Sequence, residues 1–105
     1  MGESPLRIAP DHPAFGGHFP GHPVVPGVVL LDEALATIAA AEGLAPELWR
    51  LGWVKFQRPV GPGESLVLRW KGLTRGGWGF EILTAGQAVA TGSVEALGAR
   101  GAPGP

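Results

Sequence analysis

Gly17-His18-Phe19-Pro20-Gly21-His22-Pro23-Val24-Val25-Pro26-Gly27 runs directly into an apolar segment, Val28 to Ala41, and this pair decides the fold. From Pro10 to Gly27 the chain holds five prolines and four glycines. Proline fixes φ and removes a donor, and glycine opens positive φ and lets backbone approach closely. Such a stretch is a shaped loop, not a helix or a sheet interior. It ends where Pro26 and Gly27 open a helix, a favourable place for proline. Glu42-Gly43 supplies the stop, with Gly43 suited to a C-cap.

The helix is apolar almost all round: Val28, Val29, Leu30, Leu31, Ala34, Leu35, Ala36, Ile38 and Ala39 to Ala41. Helices of that kind are usually buried in the middle of a fold. Asp32 and Glu33 interrupt the run, and it is too short to span a membrane. Glu33 and Thr37 share a polar strip at i, i+4. Asp32 shares its face with Val28, Leu35 and Ala39. An ionised aspartate there costs several kcal/mol unless it is paired or wet. Asp32 is therefore expected at a cleft or an interface, or beside a special partner.

Outside this stretch the period changes. Leu6 to Ala9 predicts a short first strand. Ala45 to Trp49 reads as a turn of helix or a loop. Leu51 to Val60, Ser65 to Lys71, Trp78 to Thr84 and Ala88 to Leu97 predict antiparallel strands, separated by turns at Gly61 to Glu64, Arg75 to Gly77 and Ala85 to Gln87. Helix and strands are segregated, which is the α+β class. The natural packing is one long helix wrapped by a curved antiparallel sheet, with an edge that a second copy would cover.

The sequence has 105 residues. Residues 1–97 are expected to form a single domain and residues 98–105 a disordered tail. About two-thirds of the unfolded surface can be buried at this size. Net charge is -1, without charge blocks, so no nucleic-acid partner is expected. The absence of cysteine excludes disulfides and thiol chemistry. The start lacks a signal-peptide core, and the expectation is a soluble, cytoplasmic chain with no membrane partner.

Two side chains and two amides carry the chemistry. His18 can take or give a proton near neutral pH. Asp32 in an apolar cleft can act as an acid. The amides of Gly27 and Val28 open the helix, lack intrahelical partners, and can hold a developing enolate. A base, an acid and an anion hole together suit proton abstraction beside a carbonyl. The plainer alternatives are a surface histidine and an aspartate that meets the helix dipole. His18 and His22 have the spacing of helical metal ligands, but Pro20, Gly21 and Pro23 forbid that helix, and neither metal nor cofactor is expected. Trp53, Phe56, Trp70, Trp78 and Phe80 read as core or interface aromatics. Lys55, Arg58, Arg69, Lys71 and Arg75 read as solvated residues, able to form a basic rim for an acidic partner.

His18 to Asp32 resembles the signature of the hot-dog fold 3-hydroxyacyl-[acyl-carrier-protein] dehydratases. That signature is His-Phe-Pro-Gly-x-Pro-x-x-Pro-Gly with a helical carboxylate at a fixed distance. Val54 to Glu64 is similar to the family's next strand and turn. His12 to Gly21 looks like the opening of the small dehydratases of aryl polyene and related lipid pathways. The resemblance implies a hot-dog fold, a dimer or larger homo-oligomer with shared active sites, and a thioester substrate on acyl carrier protein. His18 matches the catalytic histidine, Asp32 the carboxylate given by the other subunit, and Gly27 the amide donor to the thioester carbonyl. Asp32 stands where the commonest branch has Glu, and Ala36 where it has Gln. The family's longer N-terminal region is also missing. Dehydration of a (3R)-hydroxyacyl thioester to the trans-2-enoyl thioester is the expected function. A hot-dog thioesterase, an enoyl hydratase and a non-catalytic partner subunit are the alternatives.

Overall fold

Helix α1 (Gly27–Glu42) forms where the apolar run begins, and the two ends are set by different chemistry. Pro26 stands before it in extended geometry, φ −60° and ψ 143°, and its carbonyl accepts from both Val29 N–H and Leu30 N–H. At the other end Gly43 turns left-handed at φ 69°, and its amide and that of Leu44 both donate to the Ala39 carbonyl. Only a residue without Cβ takes that geometry readily, so the predicted stop falls where glycine permits it. The structure is a computed structural model that describes residues 2–6, 8, 25–46, 48–61, 63–74 and 76–97. His12, His18, His22 and the tail 98–105 lie outside those residues.

The strands are β1 (Gly2–Leu6), β2 (Leu48–Phe56), β3 (Leu66–Gly72), β4 (Trp78–Thr84) and β5 (Gln87–Leu97). They form one antiparallel sheet in the order β1-β3-β4-β5-β2. β4 matches its predicted span, and β3 and β5 fall within one residue of theirs at each end. Two predictions need correction. The first strand covers Gly2–Leu6 instead of Leu6 to Ala9, because Ser4 and Leu6 stand opposite Leu68 and Leu66. Ile8 is buried beyond the strand, so the alternation around it marked burial and not pairing. Leu48 and Trp49 belong to β2 and pair with Leu97 and Ala96, where the sequence suggested a loop or helical turn, and the strand ends at Phe56 instead of running on to Val60.

The core follows the two periods. Leu66, Leu68 and Trp70 on β3 and Phe80, Ile82 and Thr84 on β4 face inward at every second residue. They form one cluster with Val29, Leu30 and Ile38 of α1, Thr84 apart. Each such aliphatic or aromatic side chain contributes about 1.5–3 kcal/mol on full burial. This is the expected helix-on-sheet, hot-dog arrangement. Trp70 and Phe80 are core, and Trp49 meets Trp78 edge-on at 6.3 Å between ring centroids. On the outer face Arg69 bonds Glu3 at 2.8 Å and lies 3.7 Å from Glu81. The Glu3 hydrogen bond and charge, more than Glu81, raise the pKa of Arg69.

One expectation about α1 is corrected. The helix is not enclosed on all sides by the described residues. Val28 is 64% exposed, and Asp32, Ala36 and Ala40 continue the same open stripe one turn apart. The sheet edge β2 also exposes Leu48, Leu51, Trp53 and Phe56. An extra residue between Leu51 and Trp53 bulges β2, so Leu51 keeps to the helix side opposite Val94 while Trp53 turns to the outer face.

Candidate functional site

The site is built where α1 begins. Two ties fix it to the segment leaving β2. Val25 N–H donates to the Val60 carbonyl at 2.7 Å, and Gln57 N–H donates to the Val89 carbonyl at 2.7 Å. These bonds hold Gln57 to Val60 across the helix start. The Phe56 ring then points its tip at the Gly27 backbone: a Cβ on Gly27 would stand 2.7 Å from its Cζ. A side chain at this position would have to displace the Phe56 ring, so glycine here has a spatial role beyond opening the helix.

A cavity of about 410 Å³ opens here, lined by Val25, Gly27, Leu30, Phe56, Arg58 and Val60 among others. Of the four amides at the helix start, those of Val29 and Leu30 go to Pro26. Among the described residues the amides of Gly27 and Val28 have no acceptor. The positive end of the helix dipole adds to their pull on an anionic oxygen. Arg58 sits at the rim, donates to Gln87 at 3.0 Å and lies 3.8 Å from Glu64.

Asp32 is placed differently. It lies in the second turn, past the first-turn positions where a carboxylate meets the dipole, and no acidic residue occupies the first turn. It is exposed, and it does not line the cavity at Gly27. The exposure removes the cost of burying its charge, which was the difficulty its apolar face raised. Thr37, on the neighbouring strip, donates to the Glu33 carbonyl at 2.7 Å as the i, i+4 spacing suggested. Of the four predicted site residues, Gly27 and Val28 begin the helix, Asp32 follows Val28 one turn on along the open stripe and away from the cavity at Gly27, and His18 lies outside the described residues.

Sequence reasoning took Phe56 only as a core or interface aromatic. Strand alternation puts it on the helix side, but its contact with Gly27 depends on the Val25–Val60 tie, which no local pattern announces. A larger concavity of about 700 Å³ runs along the outer face by Trp53, Arg69, Lys71 and Glu81, and it holds none of the four predicted site residues. Among the described residues no cluster of three metal-ligating side chains occurs, and no helix is long and apolar enough to cross a membrane.

The model of one protein family, "ApeI-like: ApeI dehydratase", matches residues 3–93 of this chain. The chain belongs to the ApeI-like dehydratase family. Its similarity to curated relatives agrees. The 3-hydroxyacyl-[acyl-carrier-protein] dehydratase FabZ of Syntrophomonas wolfei is 41% identical over 70 residues, covering 59% of this chain and 48% of that protein. FabZ of Granulibacter bethesdensis is 35% identical over 102 residues, covering 85% of this chain and 60% of that protein. The chain thus spans about half the length of the first relative. Among solved structures, the dehydratase heterocomplex ApeI:P of Xenorhabdus doucetiae superposes with a TM-score of 0.73 at 27% identity, covering 89% of this chain and 83% of that one.

Proposed function

We propose that this chain dehydrates a (3R)-hydroxyacyl thioester on acyl carrier protein to the trans-2-enoyl thioester, in fatty-acid or related lipid or polyene biosynthesis in the cytoplasm. His18 of one subunit takes the C2 proton. The electron pair moves toward the thioester oxygen, where the Gly27 amide, with Val28 beside it, holds the developing charge. Asp32 of the partner subunit gives a proton to the C3 hydroxyl, which leaves as water as the double bond forms.

The observation that carries this reading is the separation of Gly27 from Asp32. Gly27 lines a cavity that Asp32 does not line. Asp32 instead stands on an exposed stripe of α1, and the sheet edge β2 exposes Leu48, Leu51, Trp53 and Phe56. Edges with exposed apolar side chains invite pairing. A second copy joined along β2 covers the stripe and delivers its Asp32 to a site made by the first. The names of the FabZ relatives supply the substrate class.

The test is turnover of a 3-hydroxyacyl-acyl carrier protein, followed by the absorbance of the enoyl thioester. His18→Ala and Asp32→Asn should each lose nearly all activity while the assembly persists. Full activity in either variant overturns the assignment.

One observation favours a second reading of the partner. The structural relative from Xenorhabdus doucetiae is a heterocomplex, so the β2 edge of this chain can pair with a different hot-dog chain. Light scattering of the chain purified alone decides. A dimer supports the homo-oligomer, and a monomer that becomes active only on adding a second hot-dog chain supports the hetero-pair.

A further inference from the structure

We propose that Phe56 is the specificity residue of this site: its ring walls the niche of the Gly27 amide and excludes bulk on the carbon next to the thioester carbonyl. The inference rests on the dehydratase reading above and deepens it.

Three features of the ring support this. First, its tip meets the helix start directly: Cζ, Cε1 and Cε2 lie 2.7, 3.0 and 3.1 Å from where a Gly27 Cβ would stand. A carbonyl oxygen bound to the Gly27 amide brings its C2 substituents into the same space. Second, the backbone on either side of the contact is fixed. Phe56 stands opposite Ala90, the next amide bonds Val89, and Val25 is tied to Val60. Third, Phe56 lines the cavity while 49% exposed in the single chain, whereas Leu30 and Val60, which line it too, are buried. A buried aromatic at this place would only fill the core. A half-open ring that touches the anion-holding residue is positioned to meet substrate. Hydrophobic walls discriminate a single added carbon by about 10- to 200-fold.

The chemistry sets the direction of the effect. An unbranched 3-hydroxyacyl thioester presents only hydrogens at C2 and passes the ring. A 2-methyl-3-hydroxyacyl thioester places its methyl group toward the ring. The intact protein should therefore prefer the unbranched thioester, and removing the ring should admit the branched one.

The experiment compares wild type, Phe56→Leu and Phe56→Ala on unbranched and 2-methyl-branched 3-hydroxyacyl thioesters, with light scattering on every sample because Phe56 also lies on the β2 edge. The expected result is a preference for the unbranched substrate in kcat/KM that falls about tenfold or more in Phe56→Ala. KM for the unbranched thioester should rise while kcat stays within a few-fold. Phe56→Leu, which keeps apolar volume, should fall between. A second measurement uses Gly27→Ala, which keeps the amide but collides with the ring. Its loss of activity should be partly restored by adding Phe56→Ala. Unchanged selectivity in assembled Phe56→Ala overturns the proposal, as does a double variant no better than Gly27→Ala. Wild type inactive on both thioesters would instead overturn the dehydratase reading itself.

Discussion

The Trp70 indole N–H donates to the Glu42 carboxylate at 2.9 Å, joining the inner face of β3 to the last residue of α1. Trp70 is 5% exposed, so its polar atom needs this partner. The bond holds the C-terminal end of the helix, as the Val25–Val60 tie holds its start. Hydrogen bonds to a charged group contribute about 1.5–3 kcal/mol, and less where the acceptor is exposed as Glu42 is. Trp70→Phe removes the donor and part of the ring, and should lower stability by about 2 kcal/mol in chemical denaturation. Glu42→Gln retains an acceptor and should cost under about 1 kcal/mol. Equal losses in the two variants would mean that the bond, and not the packing of Trp70, dominates.

Ala85 sits at φ 50° beside Gly86 at φ 78°, in the two-residue turn that joins β4 to β5 between Thr84 and Gln87. Positive φ at both central positions is the hairpin geometry favoured by Asn-Gly. A left-handed alanine costs about 1–2 kcal/mol relative to the right-handed form. Ala85→Asn should therefore stabilise the chain by about 0.5–1 kcal/mol, read as a rise of a few degrees in Tm. Ala85 is exposed, so no packing change offsets the gain. A Tm that stays the same or falls would show that the turn relaxes without strain.

Leu51 illustrates the open edge. It is 48% exposed on β2, faces the helix side, and precedes the bulge. If β2 pairs with a second copy, a lysine there puts an uncompensated charge into the interface, the device by which natural edge strands avoid pairing. Leu51→Lys should leave the fold of one chain intact, with stability within about 0.5 kcal/mol, because the position is surface in the single chain. Light scattering should then find monomer, and dehydratase activity should be lost with the dimer. A dimer that survives the lysine would place the interface elsewhere.

Much of this was legible in the sequence because local chemistry dictated it. Gly43 had to end the helix, since only glycine takes that backbone cheaply. Trp78 to Thr84, set between two turns, is read as a strand, and the observed strand matches. Other features depend on long-range pairing. β1 lies over Gly2–Leu6 because its partner is β3, some sixty residues later, and nothing in the local alternation at Leu6 and Ile8 reports that. The open stripe of Val28, Asp32, Ala36 and Ala40 was hidden by composition, because an all-apolar helix does not say which side its own sheet covers. Asp32 alone hinted at it, as the charge that a fully enclosed helix would not tolerate. Phe56 was visible as an aromatic, but its approach to Gly27 is a long-range contact that no local pattern announces.

That stripe leads to the sharpest test of the site. If Asp32 acts in the partner's site, chains lacking His18 and chains lacking Asp32 repair each other. His18→Ala keeps a working aspartate, and Asp32→Asn keeps a working histidine. In a dimer of one of each, one site receives both defects and the other receives neither. Random exchange makes about half of the dimers mixed, so about a quarter of all sites should be intact. Each variant alone should be nearly inactive. After mild dissociation and remixing at equal concentrations, activity should climb toward about a quarter of wild type at the same total protein. The rise should follow subunit exchange measured on the same sample. If His18 and Asp32 of a single chain formed the site, every site in every mixed dimer would still carry one defect. Remixing would then restore nothing, and the open stripe on α1 would need another explanation.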